Sequence, residues 1–281
     1  MVKIAAMGDN VVDCYMSMGT MFPGGNCLNV SVFVRRFGGE SAYIGAVGDD
    51  TAGYLIRDAL VEEGVDVSHL RMVERGPTAY CIIGHRDADR IFLRADLGVS
   101  MIEPTSTELA FLSGFDAVHI GQSSGLDAFV EAAASKTRLS YDFSTRRDGD
   151  HRRSIAPLCF LASVSGGGLS HNEALALLEE LRTAGATWAL VTRGEEGAIL
   201  AGEGQVFSVP AAPAELTDTL GAGDTFIART LYGLLQRETP SVLLAEAAKA
   251  ASQTCRYYGA IGYPAPIVLT GDVPELEARA T

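Results

Sequence analysis

The chain has 281 residues, which at about 150 residues per domain implies two units, or one large unit with an appendage. Apolar types make up 47% of it and charged types 20%, the reverse of an intrinsically disordered composition. Lys and Arg total 22 against 35 Asp and Glu, and a net charge of −13 excludes non-specific binding to nucleic acid or to an anionic membrane, so a polyanionic ligand needs a local device to hold it.

The first element is the apolar run Val2 to Met7, stopped by Gly8 in the manner of a buried strand. Its uncharged part, Ile4 to Met7, is too short for a signal sequence, and no stretch of 18 apolar residues occurs anywhere, so a cytoplasmic protein is expected. Val11 to Phe22 reads as strand pieces. Val30, Phe33, Val34 and Phe37 then mark one helix face ending at Gly38-Gly39, Ala42 to Val47 a strand, and Ala52, Leu55, Ile56, Ala59 and Leu60 a second helix closed by Gly64. Between Thr78 and Arg94 the pattern predicts a β-hairpin, Ala79 to Gly84 and Ile91 to Leu93 around Asp87-Ala88-Asp89, which with Val11 to Phe22 forms a small sheet outside the main layer.

Alternation resumes with strands at Ala117 to Ile120, Leu139 to Phe143 and Cys159 to Ala162. Ser170-His171-Asn172-Glu173 has capping-box form, and Ala174, Leu177, Leu178 and Leu181 supply the helical stripe behind it. Trp188 to Thr192 is strand, followed by two short strands, a glycine loop at Gly221 to Gly223, a helix through Leu231 and Leu234, and a last helix around Val242 to Tyr257. Such an order predicts an α/β fold, a mainly parallel sheet with helices on both faces, and ligands at the carboxyl ends of its strands.

The 31 glycines cluster in loops, whereas the five cysteines (Cys14, Cys27, Cys81, Cys159, Cys255) are odd in number and lack a C-x-x-C pair, so neither a disulfide framework nor a zinc knuckle is expected. The sharpest motif is Asp218-Thr219-Leu220-Gly221-Ala222-Gly223-Asp224-Thr225-Phe226. Successive N–H groups of Gly221, Ala222 and Gly223 can converge on an anion, aided by the positive end of the helix that follows. A phosphate can then be held without a lysine. Asp224 cannot ligate phosphate, but it can accept a hydrogen bond from a hydroxyl aimed at phosphorus.

This run resembles the C-terminal signature of the ribokinase-like (PfkB-type) carbohydrate kinases. Pro23-Gly24-Gly25-Asn26-Cys27-Leu28-Asn29-Val30, with Gly45 and Val47-Gly48-Asp49-Asp50-x-x-Gly53, resembles the N-terminal one, and the likeness spans Gly8 to about Ala260. It implies one ribokinase-like α/β domain over 1–281 with a lid from segments near 11–22 and 78–94. It also implies a phosphotransferase using ATP and Mg²⁺, a sugar acceptor and a homodimer. By the same resemblance Asp224 is the catalytic base and Gly221, Ala222 and Gly223 the anion hole. Asp9, Asp13, Gly24, Gly25 and Asn29 meet the sugar. Thr192, Gly194, Gly197 and Gly259 meet the nucleotide, and Asp218 falls where some relatives bind a monovalent cation. Gly8-Asp9-Asn10 with Asp13, Gly24-Gly25-Asn26, Gly64 to His69 and Asp89 to Phe92 are similar to the branch acting on glycated lysine, which implies the C6 hydroxyl of fructoselysine as acceptor.

One departure is that Ser163-Val164-Ser165-Gly166-Gly167-Gly168 replaces the N-x-x-E that many relatives carry, so no protein ligand for a metal is named. His119 reads as a hydrogen-bonded core or rim histidine, Trp188 as packing, and Arg152-Arg153 as an exposed charge run. Arg94 and Asp96, at the end of the hairpin, are either a solvated pair or contacts to the amino-acid part of a substrate. Rival readings are a kinase for ribose, fructose, another ketose or a nucleoside, and a non-catalytic sensor. A dinucleotide oxidoreductase needs G-x-G-x-x-G after the first strand, which Gly8-Asp9-Asn10 does not supply.

Overall fold

A computed structural model of the chain describes residues 1–86, 89–146 and 148–270. The first apolar run is β1 (Lys3–Met7), and the pieces after it are β2 (Val11–Tyr15) and β3 (Thr20–Gly24). Then come α1 (Asn26–Arg36), β4 (Glu40–Gly48) and α2 (Thr51–Glu62), whose cap Asp50 accepts from the Gly53 N–H at 2.8 Å. The next strand, β5 (Asp66–Val73), escapes the sequence pattern because Ser68, His69 and Arg71 interrupt its apolar residues. It lies at the edge of the sheet, where a strand needs less burial. The hairpin is β6 (Tyr80–Arg86) with β7 (Asp89–Asp96), and its predicted turn at 87–88 lies outside the described residues.

The second half runs α3 (Ser106–Phe111), β8 (Ala117–Gly121), α4 (Val130–Ala134), β9 (Arg138–Asp142), α5 (Gly149–Ile155) and β10 (Cys159–Ser165). It continues with α6 (His171–Thr183), β11 (Trp188–Thr192), β12 (Ala198–Gly202), β13 (Gln205–Val209), α7 (Ala222–Leu235), α8 (Pro240–Thr254) and the short β14 (Ala265–Pro266).

Nine strands form one sheet in the order β13-β12-β11-β10-β9-β8-β1-β4-β5, parallel from β11 to β5 and antiparallel only at β12 and β13. The smaller sheet, β14-β3-β2-β6-β7, joins the two expected segments through parallel pairing of β2 with β6 and adds a C-terminal strand that the sequence pattern misses.

Alternation along β1 shows how the layers form. Ile4 and Ala6 face the side covered by α1, α2, α7 and α8, with Val34, Leu60, Leu231 and Leu244. Ala5 and Met7 face the other side, with Val130, Ile155 and Leu178 of α4, α5 and α6. Burying each such aliphatic side chain contributes about 1.5–3 kcal/mol. Because seven neighbouring strands run parallel, their carboxyl ends share one rim, and Asp9, Ser124, Asp142, Ser163 and Gly194 lie at or just beyond those ends.

Trp188 does pack, over the bare Gly202, where a Cβ would come within 2.1 Å of the indole. Arg152 corrects the sequence reading. Its side chain is buried and paired with Glu180 of α6 at 2.9 Å, and only Arg153 of that pair is exposed. No helix among the described residues is long and apolar enough to cross a membrane.

The capping box of α6 is formed as read: Ser170 Oγ accepts from the Glu173 N–H at 3.3 Å and Glu173 Oε2 accepts from the Ser170 N–H at 2.8 Å. Ser170→Ala is therefore expected to cost about 1 kcal/mol and lower the melting temperature by about 2–4 °C. The change lies at an exposed helix end, and thermal unfolding followed by circular dichroism measures it.

Candidate active site

Helix α7 starts at Gly221, whose φ of +78° turns the chain sharply into the first helical turn. A side chain is barred there twice, since a Cβ at Gly221 would also lie 2.4 Å from that of Ala260. Among the described residues the N–H groups of Gly221, Gly223 and Asp224 donate to no protein acceptor, while that of Ala222 reaches back to Thr219 O at 3.3 Å. The space a Cβ of Gly223 would fill is open. These amides and the helix dipole form an uncharged cradle for an anion.

Asp224, half-buried in that first turn, is held by two asparagines of α1. Asn29 Nδ2 donates to its Oδ2 at 2.7 Å and Asn26 Nδ2 to its Oδ1 at 2.8 Å. The second Asn26 hydrogen goes to Asp142 Oδ2 at 3.1 Å, and Asp142 Oδ1 accepts from the Ser144 N–H at 3.0 Å and Ser163 Oγ at 3.1 Å. Burial pushes the Asp224 carboxyl up to about 6, against the pull of the two asparagines and with a smaller push from the charge of Asp9. Burial likewise pushes Asp142 up to about 7, partly offset by the Ser144 amide, with the Asp224 charge adding to the rise.

Asp9, expected at the sugar, has both carboxylate oxygens committed to the protein. Oδ2 accepts from the Asn26 N–H at 3.0 Å, and Oδ1 accepts from Ser124 Oγ at 2.9 Å and the Cys27 N–H at 3.4 Å. It thus caps α1, whose own N-cap, Gly25, has no side chain to do so. Asp13 is buried on β2 against the bare backbone of Gly24, where a Cβ would come 2.1 Å from Asp13 Oδ2. At Gly25, with φ +111°, a Cβ would come 2.6 Å from the main chain of Asn10.

Thr192, Gly194 and Gly197 lie at and beyond the end of β11. Gly194 faces open space, whereas Gly197 is pressed against Val209 O, 2.0 Å from where its Cβ would stand. Gly259 is tied to the anion loop through Asp218, whose carboxylate accepts from the N–H groups of Gly259 at 3.1 Å and Leu220 at 3.0 Å and from the Tyr15 hydroxyl. Asp218, where the resemblance allows a monovalent cation, thus already accepts from three protein donors. Arg94 is exposed on β7, at the edge of the smaller sheet.

Sequence reasoning placed Asn26 in the N-terminal signature without giving it a role, and missed Asp142 and Tyr15. Asp142 carried a signal, since an aspartate closing an apolar strand run sits at the carboxyl rim of a parallel sheet.

Comparison with known proteins identifies the family. The model of the pfkB family carbohydrate kinases matches residues 4–144 and 158–267. The chain belongs to that family. Fructosamine kinase FrlD of Bacillus subtilis (strain 168) is 36% identical over 269 residues, covering 94% of this chain and 95% of the relative. Fructoselysine 6-kinase of Escherichia coli (strain K12) is 33% identical over 263 residues, covering 92% and 100%. A fructokinase of Escherichia coli is 30% identical, covering 83% and 84%. Among solved structures, Arabidopsis thaliana ribokinase complexed with ribose and ATP superposes with a TM-score of 0.79 at 18% identity, covering 93% of this chain and 95% of that one. Aminoimidazole riboside kinase from Salmonella enterica, complexed with aminoimidazole riboside and an ATP analogue, gives 0.72 at 26% identity, covering 92% and 95%. The pfkB-family chain is therefore a sugar kinase of ribokinase-like fold.

Within this kinase Tyr15 links the smaller sheet to the anion loop. Tyr15→Phe removes one donor from the Asp218 carboxylate and is expected to cost about 1.5–3 kcal/mol, the range for a hydrogen bond to a charged group. A lower urea midpoint at unchanged slope would show this, and an unchanged midpoint would show that the bond carries little.

Proposed function

We propose that the chain phosphorylates the C6 hydroxyl of fructoselysine, or of a closely related conjugate of a sugar with an amino acid, using MgATP as co-substrate. The observation that carries the reading is Asp224, fixed by two asparagines within the same helical turn as unpaired amide donors. A phosphoryl group seated on those amides lies beside a carboxylate that can accept a hydrogen bond from the attacking hydroxyl. The acceptor choice rests on similarity over more than nine-tenths of the chain to kinases named for fructosamine and fructoselysine.

Each part of the site has a task in that reaction. The amides of Gly221 and Gly223 stabilise charge on the transferring phosphoryl oxygens, and do so better with water excluded. Bound with the nucleotide, Mg²⁺ would supply charge neutralisation at its phosphates, and no cluster of three or more metal-ligating side chains occurs among the described residues to hold it apart from them. Asp224 orients the hydroxyl and takes its proton as the bond to phosphorus forms. A loose transition state needs little early proton removal, so orientation supplies most of the effect. Oδ1 of Asn29 is buried and lacks a hydrogen-bond partner among the described residues, which suits it to accept from a sugar hydroxyl. Asp13 on bare Gly24 can accept from further hydroxyls of the same sugar. The segment from Thr192 to Gly197 and the turn at Gly259 would flank the nucleotide, and the smaller sheet would serve as a lid that keeps water from the γ-phosphate.

Initial rates on a panel of acceptors test the substrate. Fructoselysine is expected to be turned over at the highest kcat/KM, and efficient phosphorylation of ribose or fructose with none of fructoselysine would overturn the choice. Asp224→Asn is expected to leave nucleotide affinity within about threefold and to lower kcat by roughly 10²–10⁴-fold. The pH profile follows from the raised carboxyl, which works only when ionised. Activity should rise with pH through about 6, falling about tenfold per unit below that point. A profile flat down to pH 5 would remove Asp224 from the proton path.

A further inference from the structure

The donors that hold Asp224 are themselves held. Asn26 gives both of its amide hydrogens to carboxylates, at 2.8 Å to Asp224 and 3.1 Å to Asp142, so its carbonyl Oδ1 faces the other way. There it meets His119 Nε2 at 2.9 Å, while His119 Nδ1 lies 2.9 Å from Ser140 Oγ. The opposite orientation of the amide would set a carbonyl oxygen against two carboxylates. Only one assignment therefore satisfies every atom: His119 carries its proton on Nε2 and donates it to Asn26, and Ser140 donates to Nδ1.

His119 is fully buried on β8, and burial holds its pKa down to about 3, so the ring stays neutral with a single N–H. Room for the amide comes from Gly121, where a Cβ would lie 2.3 Å from Asn26 Oδ1. The Asn26 N–H in turn is anchored by Asp9 at 3.0 Å, so both its main chain and its side chain are fixed from outside α1.

We propose that Ser140, His119 and Asn26 form a chain of positioning residues, running from the buried Ser140 and His119 to the half-buried Asn26, that fixes the carboxylate of Asp224 and keeps it separated from that of Asp142. The chain touches no substrate. It acts by denying Asn26 the freedom to rotate, and with it denies Asp224 any other angle toward the acceptor hydroxyl. This inference rests on the reading of Asp224 as the group that orients that hydroxyl. It adds that the orientation is set from β8 and β9, on the far side of Asn26 from the acceptor.

Three variants and one spectroscopic signal test it. His119→Leu keeps the site apolar and filled but leaves Asn26 Oδ1 only the long 4.0 Å contact with the Cys27 thiol, and is expected to lower kcat about 10–100-fold with the KM values for acceptor and MgATP within about twofold. His119→Gln retains an N–H donor and is expected to recover kcat to within about fivefold of wild type. Gly121→Ala displaces Asn26 without touching His119 and should reproduce the loss seen with His119→Leu. In ¹⁵N spectra of the unliganded protein the Asn26 side-chain amide should shift in His119→Leu and in Gly121→Ala. A His119→Leu enzyme with wild-type kcat would overturn the proposal, as would raised KM values at unchanged kcat, or equal losses in the Leu and Gln variants of His119. If the wild-type protein phosphorylates no acceptor, the functional reading has failed, and the amide signal still decides the chain: movement in both variants upholds it and an unmoved signal in either refutes it.

Discussion

A carboxylate and a phosphoryl group repel each other, and the proposed reaction brings them together within one turn of α7. Asp224 sits two residues after Ala222 in a chain whose net charge is −13, so no surplus of basic side chains compensates. The solution is dipolar. Main-chain N–H groups at the start of α7 have no protein acceptor among the described residues, and two asparagine amides hold the carboxylate. Neither set carries a formal charge, so nothing competes with the ionic partners that arrive with the substrates.

That arrangement depends on two helix N-termini meeting at one rim of the sheet. Parallel strands deliver their carboxyl ends together, and α1 and α7 pack on the same face. α1 starts without a capping side chain of its own, and Asp9, from the loop after β1, supplies the missing acceptor. The consequence reaches the chemistry directly, because the residue whose N–H is capped is Asn26, which in turn binds Asp224. On the α7 side Asp218 gathers Leu220, Gly259 and Tyr15, so the anion loop, the turn after α8 and the smaller sheet are bound to one carboxylate. A movement of β2 that carried Asp13 with it would be felt at Gly221 through the same group.

The sequence revealed the parts of this machinery that are local. Strands built from continuous apolar runs, the capping box at Ser170 and the glycine turn at Gly221 each express a rule acting over a few residues, and each is formed. β5 was illegible because an edge strand tolerates Ser68, His69 and Arg71 in a row that periodicity would reject. Arg152 was misread because its partner, Glu180, is supplied by another helix, and no feature of the Arg152-Arg153 pair distinguishes the buried guanidinium from the exposed one. Asn26 was left without a role, and Asp142 was missed, for the same reason at the site itself. The bonds that give them their role span 198 residues to Asp224 and 116 residues to each other, and the fold alone brings those ends together.

The raised carboxyls of Asp224 and Asp142 also bear on how the reaction is timed. An aspartate at its ordinary pKa of about 3.9 would be a poor proton acceptor, whereas one pushed up to about 6 by burial holds a proton better yet remains mostly ionised near neutrality. On the proposed reading, whatever negative charge of an arriving γ-phosphate its Mg²⁺ left unneutralised would raise the affinity of Asp224 for a proton further. Its basicity would then grow as the phosphoryl group came into place, and the amides of the α7 cradle would limit that rise by taking up part of the same charge. In that reading a carboxylate held at fixed angle beside an anion hole is a base whose strength follows occupancy of its neighbour, which would tie proton acceptance to the presence of nucleotide.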